Sequence, residues 1–338
     1  MANPILRISP LGFPWETSDP FLFCVHHEDF YPKGEANLGP DPELLKGRNI
    51  GSDFTIKDGF RMYHGSTVPG FPAHPHRGFE TVTIAKKGLI DHADSLGAAG
   101  RFGGGDVQWM TAGKGVQHSE MFPLLDRENP NTLEIFQIWL NLPKKDKMVA
   151  PHFGMLWAED IPKYVHTNNG GLTTIVDVIA GAIDGNKGPK NSPNSWASNP
   201  DNEVAIWTIK MEPGATWTLP TASEEAHRTL YFYKGGKLTL AETDLPLYNS
   251  AILNASIPTI IENGEEESHL LLLQGKPINE PVVQHGPFVM NTSDEINQAM
   301  SEFRMTQFGG WPWPTHDHAH DEHKGRFAKY VDGSIEEK

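Results

Sequence analysis

The sequence predicts an all-β protein that is divided into two domains. Its 338 residues exceed the length of a typical single domain and suit two. With 33 glycines and 27 prolines beside a hydrophobic share of 38%, the composition is typical of a turn-rich β protein rather than a helical one. Many apolar segments also alternate with polar residues, as half-buried strands do. We therefore expect strands in both halves of the chain.

Composition argues against several classes of protein. The formal net charge of −15 is unsuited to a large basic surface, so we expect no direct nucleic-acid partner. No run approaches about 18 consecutive apolar residues, which predicts no membrane span, and the N-terminus lacks a secretory signal pattern. The single cysteine, Cys24, fits a reducing compartment and is expected to be a buried, inert thiol. These features predict a cytoplasmic protein, or a nuclear one if its source is eukaryotic.

The first 70 residues lead towards the first candidate site. Residues 1–50 are rich in turn formers and are predicted to form loops. His26 and His27 are adjacent and would leave a strand on opposite faces, so we expect neither to bind a metal. Phe60–Pro72 alternates like a strand, and His64 within it has the parity of His74 and could approach a site there.

Two short segments with paired polar residues stand at the ends of the stretch Gly70–Met121. His74 and His76 are two residues apart at one end, and His118 and Glu120 are two apart at the other. Residues two apart on a strand point to the same face. If the two strands lie side by side, three neutral imidazoles and one carboxylate converge. This set predicts a site for one divalent transition metal, such as iron, manganese, cobalt, nickel, copper or zinc; a solvent-facing histidine cluster is the alternative.

The segments between these ends predict a barrel around the site. Thr81–Ala85 alternates like a half-buried strand, and the even positions that follow Glu80 continue the parity of the first two histidines. The ligand face is therefore predicted to be the barrel interior. Asp91–Ser95 is predicted to be a turn, and Asp106–Met110 a strand followed by a glycine turn.

The second half repeats the strand pattern without the ligands. Further strands are predicted at Phe136–Leu142, Thr173–Ile183, Val204–Pro220 and Ser268–Gly275. Asp184–Asn202 is a predicted loop rich in glycine, proline and asparagine. Glu224–Leu240 falls where a first ligand motif would be expected but offers only His227, and no His-x-Glu follows it before the histidine-rich tail. We therefore expect a metal-free C-terminal domain that packs on the first, with the boundary near residues 145–165.

One helix and a histidine-rich tail close the chain. Ser293–Phe303 is the predicted helix, with Ser293 as its N-cap and acidic residues in its first turn. The tail contains four histidines, which we interpret as surface residues rather than a specific metal site: His316, His318, His320 and His323. Trp311 and Trp313, which precede them, are expected to pin the tail to a barrel.

The two metal-ligand segments resemble the two motifs of the cupin superfamily and, more narrowly, those of the pirin family. The first motif is His74–Ile84, "HPHRGFETVTI", and the second is Gly105–Met121, "GDVQWMTAGKGVQHSEM". Threonine stands at residue 111, where most cupins have proline, and this matches the pirin version. The resemblance extends to Phe136–Pro143, Glu280–Ile296, Phe308–Pro314 and Gly325–Ala328. It therefore spans nearly the whole chain.

This resemblance implies a bicupin, in which two cupin (jelly-roll-like) β-barrels pack face to face and a C-terminal helix and tail follow. The implied domains are a metal-binding barrel at residues 1–150, a metal-free barrel at 165–305 and a tail at 306–338. In the family, a non-haem iron is held by the residues that correspond here to His74, His76, His118 and Glu120. Glu80 matches a glutamate that many other cupins use as a ligand, and we expect it to support the site rather than bind the metal.

The resemblance also implies a reaction, because pirins are similar to quercetinases, which open flavonols with O₂ and release carbon monoxide. The favoured hypothesis is an enzyme, a metal-dependent flavonol (quercetin) 2,4-dioxygenase. Iron(II) is the preferred metal, O₂ and a flavonol-like molecule are the substrates, and Glu120 is the catalytic base. The alternative is a non-enzymatic, iron-dependent redox-sensing regulator that binds a transcription factor or metabolic enzyme. A third is a cupin isomerase or a metabolite-binding protein, since the same ligands serve all three.

Overall fold

The computed structural model describes residues 3–190 and 192–338, which form β-strands and one α-helix, so the predicted all-β class is confirmed. The first strands in chain order are β1 (Ile5–Pro10), β2 (Phe21–Tyr31), β3 (Gly70–His76), β4 (Phe79–Lys87), β5 (Leu89–Asp94), β6 (Ala99–Gly103), β7 (Val107–Thr111), β8 (Val116–Met121), β9 (Asn131–Asn141), β10 (His152–Leu156), β11 (Lys163–Thr167), β12 (Thr173–Ala180) and β13 (Ala182–Ile183).

The remaining strands are β14 (Asn186–Lys187), β15 (Ala205–Met211), β16 (Thr216–Leu219), β17 (His227–Lys234), β18 (Leu238–Leu240), β19 (Thr243–Leu245), β20 (Asn249–Asn254), β21 (Thr259–Asn263), β22 (Ser268–Gly275), β23 (Val283–His285), β24 (Phe288–Met290), β25 (Phe327–Lys329) and β26 (Ile335–Glu337). The α-helix is α1 (Ser293–Thr306). Short 3₁₀ helices lie at Pro42–Leu45, Lys144–Asp146, Trp196–Ser198, Pro200–Asn202 and Gln307–Gly309.

The chain divides into two compact units. The N-terminal unit comprises His26–Ile138, Leu142–Ala158 and Glu280–Lys338. The C-terminal unit comprises Met1–Val25, Trp139–Asn141 and Glu159–Asn279. These units differ from the predicted domains 1–150, 165–305 and 306–338, because each terminal segment belongs to the unit formed mainly by the other half of the chain. The physical reason is strand pairing, because β1 pairs with β20 and β25 pairs with β6, so each terminus joins a sheet built by the other half of the sequence.

The N-terminal unit contains two sheets, and the first of them carries all four predicted ligands. One has the order β26-β25-β6-β5-β8-β3 and the other β10-β7-β4-β9-β2. Side chains from both sheets, including Tyr31, Phe102, Leu133 and Phe153, share one buried core. The prediction that His74, His76 and the even positions of β4 share a face is wrong. β3 and β4 belong to different sheets, so the side-chain alternation does not continue from one to the other.

The C-terminal unit is built in the same way from a seven-stranded and a four-stranded sheet. Their orders are β1-β20-β17-β22-β15-β12-β11 and β16-β21-β18-β19. Trp207, Leu230, Leu240 and Leu272 belong to a core that draws on both sheets. Cys24 is fully buried, and burial raises the pKa of its thiol, as expected for an inert cysteine.

Helix α1 lies in the N-terminal unit, and its N-cap is one residue earlier than predicted. Thr292, not the predicted Ser293, is the N-cap, because its side chain accepts a hydrogen bond from the backbone N–H of Glu295. The Glu295 carboxylate accepts one from the Thr292 N–H in return, which completes a capping box. No helix in the described part of the chain is both long and apolar enough to cross a membrane.

Candidate metal centre

Three of the predicted ligands come together on two paired strands. β3 and β8 are antiparallel, and His74 lies directly opposite His118 in their register. His76, two residues further along β3, points to the same side, and its ring centroid is 4.8 Å from that of His74 and 4.9 Å from that of His118. The potential ligand atoms of the three histidines all lie within 4.8 Å of one another. This group could therefore hold one metal ion.

The environment keeps the three imidazoles neutral, which is the form that binds metals. Burial lowers the pKa of His74 to about 4; a hydrogen bond that the ring donates to the Pro72 carbonyl acts against this shift, and the nearby His64 and His92 add to it. Burial also lowers the pKa values of His76 and His118 well below the usual range, and the neighbouring histidines add to the effect. No proton need be displaced from these rings at neutral pH when a cation binds.

The hydrogen bonds of the rings test whether a metal fits. His74 Nδ1 lies 2.9 Å from the carbonyl oxygen of Pro72, so it is the protonated nitrogen and Nε2 carries the free lone pair. His118 is fully buried, and neither of its ring nitrogens has a hydrogen-bond partner among the described residues. Buried polar atoms without partners are costly. A divalent transition metal bound to this imidazole set would remove that cost, so the residues fit such a group.

Glu120, the fourth predicted ligand, lies beside the three histidines rather than within their group. Its Oε2 is 4.0 Å from His118 Nε2. Thr83 Oγ1 donates to Oε1 at 2.9 Å, and Gln137 Nε2 donates to Oε2 at 2.6 Å. Burial raises the pKa of this carboxyl, while these two hydrogen bonds and His92 act in the opposite direction. The carboxylate is thus buried, fixed in orientation and adjacent to the imidazoles.

The other histidines and Glu80 lie outside the three-histidine group. Glu80 is fully buried and accepts a hydrogen bond from Thr111 Oγ1 at 2.7 Å, so the threonine at the unusual pirin position holds it. His27 Nδ1 is 2.9 Å from the hydroxyl of Tyr63. His64 is exposed, and its Nδ1 is 2.7 Å from a backbone carbonyl.

His92 is the main residue of this site that sequence reasoning missed. The sequence predicts a turn at Asp91–Ser95, whereas His92 lies in β5, fully buried, opposite Glu120 in the β5–β8 pairing. Its ring centroid is 5.6 Å from that of His118, and Gln108 Nε2 is 3.0 Å from its Nδ1. The sequence carries no clear strand signal here, because the apolar residues Ile90 and Ala93 are three positions apart and do not alternate with polar residues at a period of two.

The C-terminal segments of the N-terminal unit support the two ligand strands. Arg77, next to His76, forms an ion pair with Glu302 of α1 at 2.7 Å and lies over the ring of Phe308. Gln117, next to His118, donates to the carbonyl of Gln307 at 2.6 Å. The ligand segments are therefore held from outside the barrel by residues far away in sequence.

The histidine-rich tail is anchored rather than wholly on the surface. Arg101 forms a buried two-point ion pair with Asp91, at 2.7 and 2.8 Å, and its remaining donors bind tail carbonyls, including that of His320. His320 is only 8% exposed, which corrects its interpretation as a surface residue. Trp313 donates to the backbone carbonyl of Asp94 at 2.7 Å, as the expected pin of the tail.

Comparison with protein families gives two matches in this chain. The model described as "Pirin" matches residues 42–140, and the model described as "Pirin C-terminal cupin domain" matches residues 206–309. The first match contains the three-histidine group with Glu120, and the second lies largely in the C-terminal unit and ends beyond α1.

Similar proteins and structures extend these matches. A Pseudomonas aeruginosa protein provisionally named quercetin 2,3-dioxygenase is 36% identical over 239 residues, which cover 71% of this chain and 79% of that protein. Pirin from Homo sapiens is 35% identical over 256 residues, covering 74% and 81% of the two chains. A crystal structure of quercetin 2,3-dioxygenase from Acinetobacter baumannii has a TM-score of 0.70 and 28% identity, and covers 91% of this chain and 98% of that one. These likenesses, with the two-unit β structure, agree with the expected bicupin fold.

Proposed function

This chain belongs to the pirin family, and from that premise we propose that it is a metal-dependent dioxygenase of the flavonol 2,4-dioxygenase type. In this reaction both atoms of O₂ enter the product, the central ring of the flavonol opens, and one ring carbon leaves as carbon monoxide. The observation that carries the proposal is the buried group of His74, His76 and His118, in which the His118 nitrogens have no hydrogen-bond partner among the described residues. The similar proteins named for quercetin dioxygenation supply the substrate class.

We propose that His74, His76, His118 and Glu120 hold the metal. When bound, iron(II), our preferred metal, supplies open coordination positions and one-electron redox chemistry for dioxygen. The imidazoles contribute neutral donors of fixed orientation, since the Pro72 carbonyl sets the tautomer of His74. Nickel, cobalt, manganese, copper and zinc suit the same donors, so the identity of the metal is part of the test.

Glu120 is the residue that we propose as the base. Flavonol ring opening begins with loss of the proton from the hydroxyl group next to the carbonyl, and a carboxylate can accept that proton. Burial raises the pKa of Glu120, which makes it a stronger proton acceptor than an exposed glutamate. Its hydrogen bonds from Thr83 and Gln137 hold both oxygens in place, so the proton would be received at a defined position.

Aromatic side chains next to His74 suit a flat, aromatic substrate. The ring of Phe71 is 6.4 Å from that of His74 and is only partly buried. Phe54 is 43% exposed, and its ring is 6.5 Å from that of Phe71. Aromatic rings gain from stacking and edge contacts at these separations. We propose that this pair contacts the flavonol rings while its hydroxyl group faces Glu120.

The experiment follows O₂ consumption and flavonol absorbance together. The full chain, purified without a histidine tag, is loaded anaerobically with iron(II), manganese, cobalt, nickel, copper or zinc in separate samples, and quercetin and O₂ are then added. We expect equal molar loss of O₂ and quercetin, with carbon monoxide release, for at least one metal. His118→Ala should abolish turnover and metal retention together.

The matched control is His323→Ala, which removes a tail histidine whose side chain is 88% exposed and should change neither property. Full turnover by His118→Ala would overturn the proposed centre. A stoichiometrically bound metal without flavonol consumption would overturn the dioxygenase and favour the redox-sensing regulator, whose protein partner should then bind differently in the iron(II) and iron(III) states.

A further inference from the structure

The C-terminal unit contains a cavity of about 970 Å³. It is lined by the loop that follows β12 and by residues at the ends of β15, β17 and β22, including Trp207, Arg228 and Gln274. Pockets of roughly 300–1,000 Å³ are the usual size for small-molecule ligands. The volume therefore suits a metabolite rather than a macromolecule.

Arg228 enters this cavity from the interior face of β17. Leu230 and Phe232, which share its parity, belong to the core of the unit, and Arg228 is itself only 1% exposed. Its Nε donates to Gln274 Oε1 at 2.7 Å, and its Nη1 donates to the carbonyl of Pro220 at 2.8 Å. Among the residues described, Nη2 has no hydrogen-bond partner, so donors remain available on a guanidinium that is already held in place.

The charge of Arg228 has no direct counter-ion. No carboxylate in the described ranges lies within ion-pair distance of its guanidinium. Glu203 affects the pKa of Arg228 through its charge, but its carboxylate accepts hydrogen bonds from the backbone N–H and the hydroxyl of Ser223, at 3.0 and 2.8 Å. Burial lowers the pKa of Arg228 to about 10, with Glu203 acting against the shift. Buried charges that lack a counter-ion are costly, and an anionic ligand in the cavity would offset that cost.

The remainder of the lining carries charges of both signs and apolar surface. Lys187 and Lys190 line the rim, opposed by Asp184 and Glu203, so the net positive charge of the lining is that of Arg228. Trp207 is 3% exposed and its indole N–H is satisfied by the carbonyl of Ala180 at 3.1 Å, so its ring offers a fixed apolar wall. The chain as a whole carries −15, which repels polyanions at long range.

We propose that this cavity binds a small organic anion, whose carboxylate or phosphate oxygens accept hydrogen bonds from Arg228 while its organic part lies against Trp207. The planar guanidinium suits both oxyanions, because it presents parallel N–H donors. This site is separate from the metal centre, and it stands whether or not the proposed dioxygenase activity does.

The test is calorimetric titration of the full-length, untagged protein with four probes. Benzoate and phenyl phosphate represent the two oxyanions, inorganic phosphate lacks the organic part, and benzamide is the uncharged counterpart of benzoate. We expect one-to-one binding of benzoate or phenyl phosphate, with the tighter of the two identifying the anion class. Benzamide and inorganic phosphate should each bind at least about tenfold more weakly.

Two variants address the site by different routes. Arg228→Met removes the charge, and Ala222→Trp fills the cavity while leaving the guanidinium and its hydrogen bonds intact, so it remains informative if the first variant folds poorly. Each should weaken anion binding at least about tenfold. Arg304→Met, which removes an exposed arginine of α1, and His118→Ala, at the metal centre, should both bind like the wild type.

The proposal is overturned if neither organic anion binds, if benzamide binds as tightly as benzoate, or if Ala222→Trp retains the wild-type affinity. Loss of anion binding in His118→Ala would also overturn it, since the anion would then occupy the metal centre instead.

Discussion

The hydrogen bond from Thr83 to Glu120 provides the sharpest test of the metal centre. Thr83→Val replaces the hydroxyl with a methyl group of similar size and removes the donor 2.9 Å from Glu120 Oε1, while Gln137 still binds the other oxygen. Residues that orient metal ligands typically contribute about 10–100-fold in metal affinity. That range corresponds to about 1.4–2.7 kcal/mol, similar to one hydrogen bond to a charged group, about 1.5–3 kcal/mol. We expect metal affinity to fall within this range.

The assay is competition for nickel(II) or anaerobic iron(II) against a chromophoric chelator. Thr81→Val is the matched control, because Thr81 lies on the same strand and face and its buried hydroxyl has no hydrogen-bond partner among the described residues. It should change the affinity by less than about threefold. An unchanged affinity for Thr83→Val, or an equal loss for Thr81→Val, would refute the role of Glu120 in metal binding.

Three further predictions concern the stability of the N-terminal unit. Burial raises the pKa of Glu134, but hydrogen bonds and charge interactions with His26 and Lys87 outweigh burial and lower the pKa to about 2. The ionised carboxylate therefore stabilises the fold above about pH 4.5, and this stabilisation is lost as the pH falls towards 2. Glu134→Gln should thus reduce the pH dependence of the unfolding free energy across that window by about 2–3 kcal/mol, measured by urea denaturation. Arg101→Met should lower the unfolding free energy by about 3–5 kcal/mol, because it leaves a buried carboxylate without its partner. Gly115→Ala should destabilise the unit and weaken metal binding, because an added methyl would lie 2.7 Å from an aromatic ring at a φ of +131°.

Each of these predictions has a control with a different expected result. Lys87→Met removes one partner of the Glu134 carboxylate and should lose only part of the pH effect. Arg127→Met breaks an exposed ion pair with Glu322 and should cost less than about 1 kcal/mol, so an equal loss would contradict the importance of burial. Gly97 also has a positive φ, +87°, but no atom of a described residue other than its chain neighbours lies within 4 Å of the position of an added methyl group. If Gly97→Ala destabilises the unit as much as Gly115→Ala, the effect at Gly115 comes from backbone strain and not from contact with the aromatic ring.

The sequence predicted those parts of the metal centre that depend on local spacing. His74 and His76 are two residues apart on one strand, and that periodicity is visible without knowing the fold. The contacts of Glu120 were not predictable in this way, because Thr83 and Gln137 come from strands of the other sheet. Their positions depend on strand register across the barrel, which a single sequence specifies only weakly.

The assignment of the chain termini to domains also depends on strand pairing that the sequence alone does not specify. Residues 306–338 had no clear periodicity, yet β25 adds to the sheet that carries the ligands, and Arg101 binds the tail from within that sheet. The boundary prediction assumed that domains are continuous in sequence. Pairing of a terminal strand with a distant one breaks that assumption and leaves no local signal.

The C-terminal unit shows how much depends on which face a residue occupies. His227 is the only histidine in the expected motif, but it is exposed and its Nδ1 is 2.9 Å from the backbone carbonyl of Asp19. Arg228, the next residue, is the one that points into the barrel. A buried guanidinium disfavours cations and favours anions, whereas neutral imidazoles beside a carboxylate do the reverse. Two barrels of similar construction are therefore suited, by their inward-facing residues alone, to ligands of opposite charge.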